Sequence, residues 1–166
     1  MAVLKLDEGV IDAAIAKLKA GMEGRVAAIN TEIVDDVTIT TPSPDDYHAF
    51  GFGILSRAPA IVVTPRPTEG EAEAEGPHSF IYVCEFRVVI YDQDTDRQRL
   101  GRKLLRLSRA AVAVLWDDDP KEALPGSAHH IKFIRTDPGP VFEPDDDNSF
   151  WRSMFAAEFR AWQLEG

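Results

Sequence analysis

The sequence predicts an α+β domain: a mostly antiparallel sheet of four or five strands with two main helices packed on it. Three stretches carry that expectation. Residues 79–91 alternate with a period of two, then give way within a few residues to a helical repeat over 97–116. Residues 7–22 repeat apolar side chains at helical spacing, and 149–164 is an aromatic-rich closing segment.

The long strand comes first because the rest is arranged around it. Phe80, Tyr82, Cys84, Phe86, Val88 and Ile90 fall on one face, and Ile81, Val83, Val89 and Tyr91 on the other, with Glu85 and Arg87. Aromatic and β-branched residues on both faces predict a strand inside a sheet covered at least partly on both sides. Leu100, Leu104, Leu107, Ala111 and Val114 or Leu115 then recur at helical spacing, with Asp94 or Thr95 as the predicted N-cap.

Upstream, Ile11, Ala14, Ile15, Leu18 and Met22 form one stripe of a helix over 7–22, which Gly21 and Gly24 weaken at its end. RVAAINTEIVDD extends the helix or turns irregular; the pattern leaves both open. Val37–Thr40 predicts a small edge strand. PSPDDYHAFGFG reads as a loop with a helical turn at 45–49, and Ala60–Thr64 as a short buried strand behind Pro59. Downstream, Pro120, Pro125 and Gly126 end the second helix, 130–135 offers a strand, and PGPVFEPDDDN reads as an acidic connection. For 149–164 the aromatic content selects a strand, although Trp151, Met154, Phe155, Glu158 and Phe159 also have helical spacing. The strand–helix–strand passage over 79–135 suggests one parallel pair through a right-handed crossover.

The 166 residues predict a single domain over 1–166, with a flexible acidic loop at 65–78. That loop has no large apolar residue and alternates Glu69, Glu71, Glu73 and Glu75, so it lacks the surface to offset its conformational entropy. No apolar run approaches membrane-spanning length, and no secretory signal is visible at MAVLKLDEGV. The single Cys84 excludes an internal disulfide framework and reads as a small core residue. The net charge of −10 argues against general nucleic-acid binding, which needs cationic surface.

No catalytic, cofactor or metal motif stands out. GFG at 51–53 is turn material, and no nucleophile elbow or paired-His helix motif is present. His129 and His130 are adjacent, so on a strand they point to opposite faces and chelate one ion poorly. The aspartate runs 117–119 and 145–147 lack calcium-loop spacing. The informative charge pattern lies on the second helix. Arg97, Arg99, Arg102, Lys103, Arg106 and Arg109 are a third of the chain's 18 Lys and Arg. Among them Arg99, Arg102, Arg106 and Arg109 follow spacings of three, four and three. That stripe reads either as a solvated face or as a candidate subunit interface. Two acidic segments, Glu69, Glu71, Glu73 and Glu75 and the run Asp145–Asp147, offer a complement on a neighbouring copy, in a head-to-tail contact that closes into a ring if its rotation permits.

The layout as a whole resembles the tail terminator and neck (head–tail joining) proteins of long-tailed bacteriophages. The resemblance lies in the order IDAAIAKLKAGM, TPSPDDYHAF, RAPAIVVTP, an acidic connection, FIYVCEFRVVIYDQDTDRQRLGRKLLRLSRAAVAVL and FWRSMFAAEFRAW. It implies a non-enzymatic virion protein, assembled in the host cytoplasm as a homo-oligomer, with a hexameric ring expected. Such a ring sits at the head-proximal end of the tail tube, stops tube polymerisation and meets a head-completion or connector protein. DNA passes its lumen without specific binding, which an acidic wall favours by repelling phosphates. No cofactor is implied, and no individual site residue carries over. Two other readings stay open: a different neck, tube or baseplate component, and a small-ligand binding domain, which would need a pocket with convergent polar groups.

Overall fold

Two helices cover one face of a sheet whose longest strand is the alternating stretch around Phe86. The computed structural model describes residues 6–50, 57–66, 73–74, 80–116, 130–136, 141–144 and 151–165, and side chains within 8–50, 57–65 and 85–116. The class is α+β. With side chains described it comprises helices α1 (Leu6–Glu32) and α2 (Arg97–Leu115) on a mixed sheet of β1 (Tyr47–Ala49), β2 (Ala60–Arg66) and β4 (Phe80–Asp94). The backbone adds β3 (Glu73–Ala74), β5 (His130–Thr136), β6 (Val141–Pro144) and β7 (Trp151–Glu165), in the order β1-β2-β4-β7-β5. β3 pairs with the start of β4, and β6 with the start of β7.

β4 and β7 pair antiparallel along all 15 residues, from Phe80 opposite Glu165 to Asp94 opposite Trp151. The closing aromatic segment is thus a strand. The parallel pair is not the one suggested by the 79–135 passage. β7 lies between β4 and β5, and the parallel neighbours are β1 and β2, with Tyr47 opposite Ile61. Two segments read as connections carry short strands: β3 inside 65–78 and β6 inside PGPVFEPDDDN. The 45–49 helical turn is a 3-10 turn at Pro44–Asp46 that leads straight into β1.

Ile61 and Val63 of β2 and Phe86, Val88 and Ile90 of β4 face the helices in one core. From α1 that core takes Ile11, Ala14, Leu18, Met22 and Val26, and from α2 Leu100, Leu104, Leu107, Ala111 and Val114. The opposite sheet face also buries Val62 and Val89, with Tyr91 packed beside them. Apolar residues on both faces of β4 therefore correspond to burial on both faces here, as the alternation implied.

α1 does not stop near Gly21. It runs for 27 residues, roughly 40 Å at 1.5 Å per residue. The two glycines explain this differently. A Cβ at Gly21 would lie 2.7 Å from Val114 Cγ1, so Gly21 is the place where α1 and α2 approach closely. A Cβ at Gly24 would meet nothing within 4 Å. Gly24→Ala should therefore raise stability by about 0.5–1 kcal/mol through helix propensity alone. Gly21→Ala gains the same propensity but drives a methyl into a β-branched neighbour, and overpacking of about 1–3 kcal/mol should outweigh it. Denaturant melts of both variants, with Val114→Ala as the relieving partner of Gly21→Ala, check the contrast. Equal stability of the two single variants would mean the helices have slack at that crossing.

The predicted edge strand at 37–40 is instead an extended segment that pairs with no strand among the described residues. Its backbone is satisfied by side chains. Asn30, near the end of α1, donates from Nδ2 to the Ile39 carbonyl (2.8 Å) and accepts from the Ile39 N–H at Oδ1 (3.0 Å). The Val37 N–H donates to Asp35 Oδ1 at 2.9 Å. Val37 and Ile39 are buried while Thr38 and Thr40 are exposed, which is the alternation that suggested a strand. Side-chain donors and acceptors replaced the ladder, and period-two patterning cannot tell the two apart.

Candidate assembly surface

The basic helix is built from its cap onward. Asp96, not Asp94 or Thr95, is the N-cap of α2. Its carboxylate accepts from the N–H groups of Gln98 (2.8 Å) and Arg99 (2.9 Å). Asp94 works one step earlier: it accepts from the Asp96 N–H at 2.9 Å and pairs with Lys103 Nζ at 2.9 Å. Burial pushes the Asp94 carboxyl up, but the Asp96 N–H and Lys103 outweigh burial and hold it below its ordinary value. Asp92 is different. It is buried, accepts from the Gln93 N–H (2.8 Å), and burial raises its pKa. Asp92, Asp94 and Lys103 line an open cavity of about 390 Å³ with Thr40, Pro59 and Gln93. Lys103 thus spends its charge inside the fold and does not join the outer stripe.

The four stripe arginines divide. Arg106 turns inward and is nearly buried. Its guanidinium donates to both carboxylate oxygens of Asp35, 3.0 Å for Oδ1, and to the Val37 carbonyl. Hydrogen bonding from Arg106 is the main reason the Asp35 carboxyl is held below its ordinary value. Arg106 therefore fastens the 35–39 segment onto α2, a role its spacing did not reveal. Arg99, Arg102 and Arg109 are exposed. The acidic complement is only partly described: Glu73 lies in β3, while Glu69, Glu71 and Glu75 fall outside the described residues. His129, His130 and the aspartate runs 117–119 and 145–147 likewise have no described side chains. Among the described residues no group of three or more His, Cys, Asp or Glu is placed to hold a metal, and no helix is long and apolar enough to cross a membrane.

The structure adds two apolar residues to the outer face. Leu105 is 53% exposed and Trp116 51% exposed. The 3.6-residue repeat sets Arg102, Leu105, Arg109 and Trp116 along one ridge, opposite the buried Leu100–Leu104–Leu107–Ala111 side. A leucine between two arginines with a tryptophan at the end is the residue mix enriched in protein–protein contacts. Leu105 reads as a break in the core stripe when only periodicity is used, so sequence reasoning passed over it.

Tyr47 sits on the inner side near α1. Its hydroxyl has no hydrogen-bond partner among the described residues, and burial pushes its pKa up to about 12. Lys19 Nζ lies 6.0 Å from its ring centroid. Asp46, buried beside it in sequence, pairs with Arg57 Nε at 3.2 Å and ties the approach to β2 to the 3-10 turn. These contacts hold β1 in place on the inner side, away from the outer ridge of α2.

No protein-family model matches this chain, and no curated protein matches it. Among solved structures it is similar to a chain of the virion of a native gene transfer agent particle, with 14% sequence identity. The likeness covers 89% of this chain and 93% of that one, at a TM-score of 0.41.

Proposed function

We propose that this chain is a structural protein of a phage-type virion that assembles as a ring at the head-proximal end of the tail tube. There it ends tube growth and joins the tail to a head-completion or connector protein, with DNA passing through an acidic lumen. The observation that carries the reading is the outer ridge of α2. A chain of net charge −10 keeps three exposed arginines, a half-exposed leucine and a half-exposed tryptophan together on one helix face. Leu105 adds half-exposed apolar surface between the arginines, the mix enriched in protein–protein contacts. The order of elements supports the same reading: helix, clamped extended segment, short strands, long strand, helix and long closing strand follow the layout that the sequence shares with tail terminator and neck proteins. The subunit contact uses Arg99, Arg102 and Arg109 with Glu69, Glu71, Glu73 and Glu75; Arg106 serves it by holding α2 against the 35–39 segment.

The experiment is mass photometry of the purified chain, followed by electron microscopy after mixing with growing tail tubes. Expected are a closed oligomer, hexameric on this reading, and tubes of bounded length carrying a ring at one end. A chain that stays monomeric and leaves tube growth unchanged would sink the proposal.

A further inference from the structure

We infer that the cavity where β4 ends is a binding site for a guanidinium group, with the Asp92 carboxylate as its receptor. The alternation of β4 builds the floor. Phe86, Val88 and Ile90 face the helices, and the same period of two brings Asp92 and Asp94 onto that face, about 7 Å apart along the strand. Both are buried. Lys103 joins them from α2. Thr40 and Ala58 line the cavity as an exposed rim, and buried Pro59 gives it an apolar wall.

The charges inside the cavity do not balance. Lys103 Nζ is engaged with Asp94 Oδ2 at 2.9 Å, and Asp94 also accepts the Asp96 N–H. Asp92 Oδ1 accepts the Gln93 N–H at 2.8 Å, and among the described residues no donor reaches its Oδ2. Asp92 is only 6% exposed, so its charge has little water to share. Burial raises its pKa, and Asp94 beside it pushes the same way. A cation in the cavity relieves both effects. An anion would meet two carboxylates and an ammonium that is already engaged. A hard divalent cation takes six or more oxygen ligands, whereas the described residues bring no group of three or more His, Cys, Asp or Glu together. A guanidinium suits the site better. It is planar and weakly hydrated, so it forms a charge-assisted hydrogen bond to a buried carboxylate at low desolvation cost. Its other N–H groups match the Thr40 hydroxyl and the Gln93 side-chain oxygen as acceptors. Pro59 and Ala58 offer apolar contact to the stem behind it. The volume of about 390 Å³ lies at the small end of the roughly 300–1,000 Å³ of ligand sites. It takes one group of this size, from a small molecule or from an arginine of another protein chain.

Titration calorimetry on the full chain tests the site. Butylguanidinium chloride is the probe, with butylammonium chloride and sodium chloride at the same ionic strength as controls. Expected is one saturable site per chain for butylguanidinium with a millimolar dissociation constant, severalfold weaker binding of butylammonium, and no saturable heat from sodium chloride. Asp92→Asn keeps the shape of the side chain and removes its charge. It should melt no lower than the wild type, because a buried carboxylate gives way to a neutral amide, and it should bind the probe at least roughly tenfold more weakly. Lys103→Met removes the competing ammonium and should bind the probe severalfold more tightly. Wild-type affinity in a folded Asp92→Asn chain overturns the inference. So does weaker binding by Lys103→Met, or the absence of saturable heat from butylguanidinium. Calcium chloride is a separate arm: stoichiometric calcium binding that Asp92→Asn abolishes would make this a metal site and overturn the guanidinium assignment. The source of the group is read with the tripeptide acetyl-Ala-Arg-Ala-amide. Affinity at or above that of butylguanidinium supports the site as a seat for an arginine of a partner chain. Binding of butylguanidinium with exclusion of the tripeptide supports it as a seat for a free guanidinium compound and overturns the partner-chain source.

Discussion

Phe86→Ala should destabilise the fold by about 3–5 kcal/mol, the largest effect expected from a single truncation among the described residues. Phe86 is fully buried, the bulkiest such side chain, and lies under both helices at the middle of β4. It stands opposite Pro65 of β2 on one side and Phe159 of β7 on the other. Removing the ring leaves a void at the junction of the sheet and both helices, where no single element can collapse to fill it. Domains of this kind hold about 5–15 kcal/mol in total, so at least roughly a fifth of the stability is at stake. The melting temperature should fall by roughly 6–20 °C at the 2–4 °C per kcal/mol typical of this size. Leu105→Ala is the contrast. At 53% exposure its loss should change stability by no more than about 0.5 kcal/mol while weakening assembly. A Phe86→Ala chain that melts like the wild type would place the core elsewhere.

Arg106→Glu should unfold or strongly loosen the chain, whereas Arg102→Glu and Arg109→Glu should leave its stability within about 0.5 kcal/mol. All three come from the same arginine stripe, and only the direction of the side chain separates them. Arg106 supplies donors to Asp35 and to the buried Val37 carbonyl. A carboxylate there would face Asp35, with Asp36 close by, and would leave Val37 without its donor. Arg106→Met, which keeps the stem and removes the charge, isolates the donor role. The orphaned Val37 carbonyl should then cost about 1–3 kcal/mol, with faster amide exchange over 35–39.

The pH dependence has a defined sign. Hydrogen bonding from Arg106 holds the Asp35 carboxyl below its ordinary value of 3.8. The pair's contribution is therefore complete above pH 3.8 and is lost as pH falls through the depressed folded value. The stability gap between wild type and Arg106→Met should narrow in that acid range and stay constant above it. A gap that widens on acidification would mean that Asp35 is not the partner.

Much of the architecture was legible without coordinates because it follows from local periodicity. The alternation of 80–91, the apolar stripe of α2 and the stripe beginning at Ile11 each mark one face for burial, and those faces meet in the core. The class α+β, both helices and the closing strand follow from such patterns. Local patterning could not decide which strands become neighbours. β7 enters between β4 and β5, and the parallel pair falls at β1–β2, because pairing is set by the whole sheet and not by chain order. Nor could it decide how the polar groups of 35–39 are satisfied: Asn30 and Arg106 reach that segment from two different helices, and Arg106 is 71 residues away from Asp35 in sequence. The same long-range contact divides the arginine stripe. Spacing of three, four and three places Arg99, Arg102, Arg106 and Arg109 on one helix flank, but only tertiary structure brings Asp35 to Arg106 and leaves the other three in solvent. Helical periodicity assigns a side chain to a face; what waits on that face is decided by parts of the chain that the period does not see.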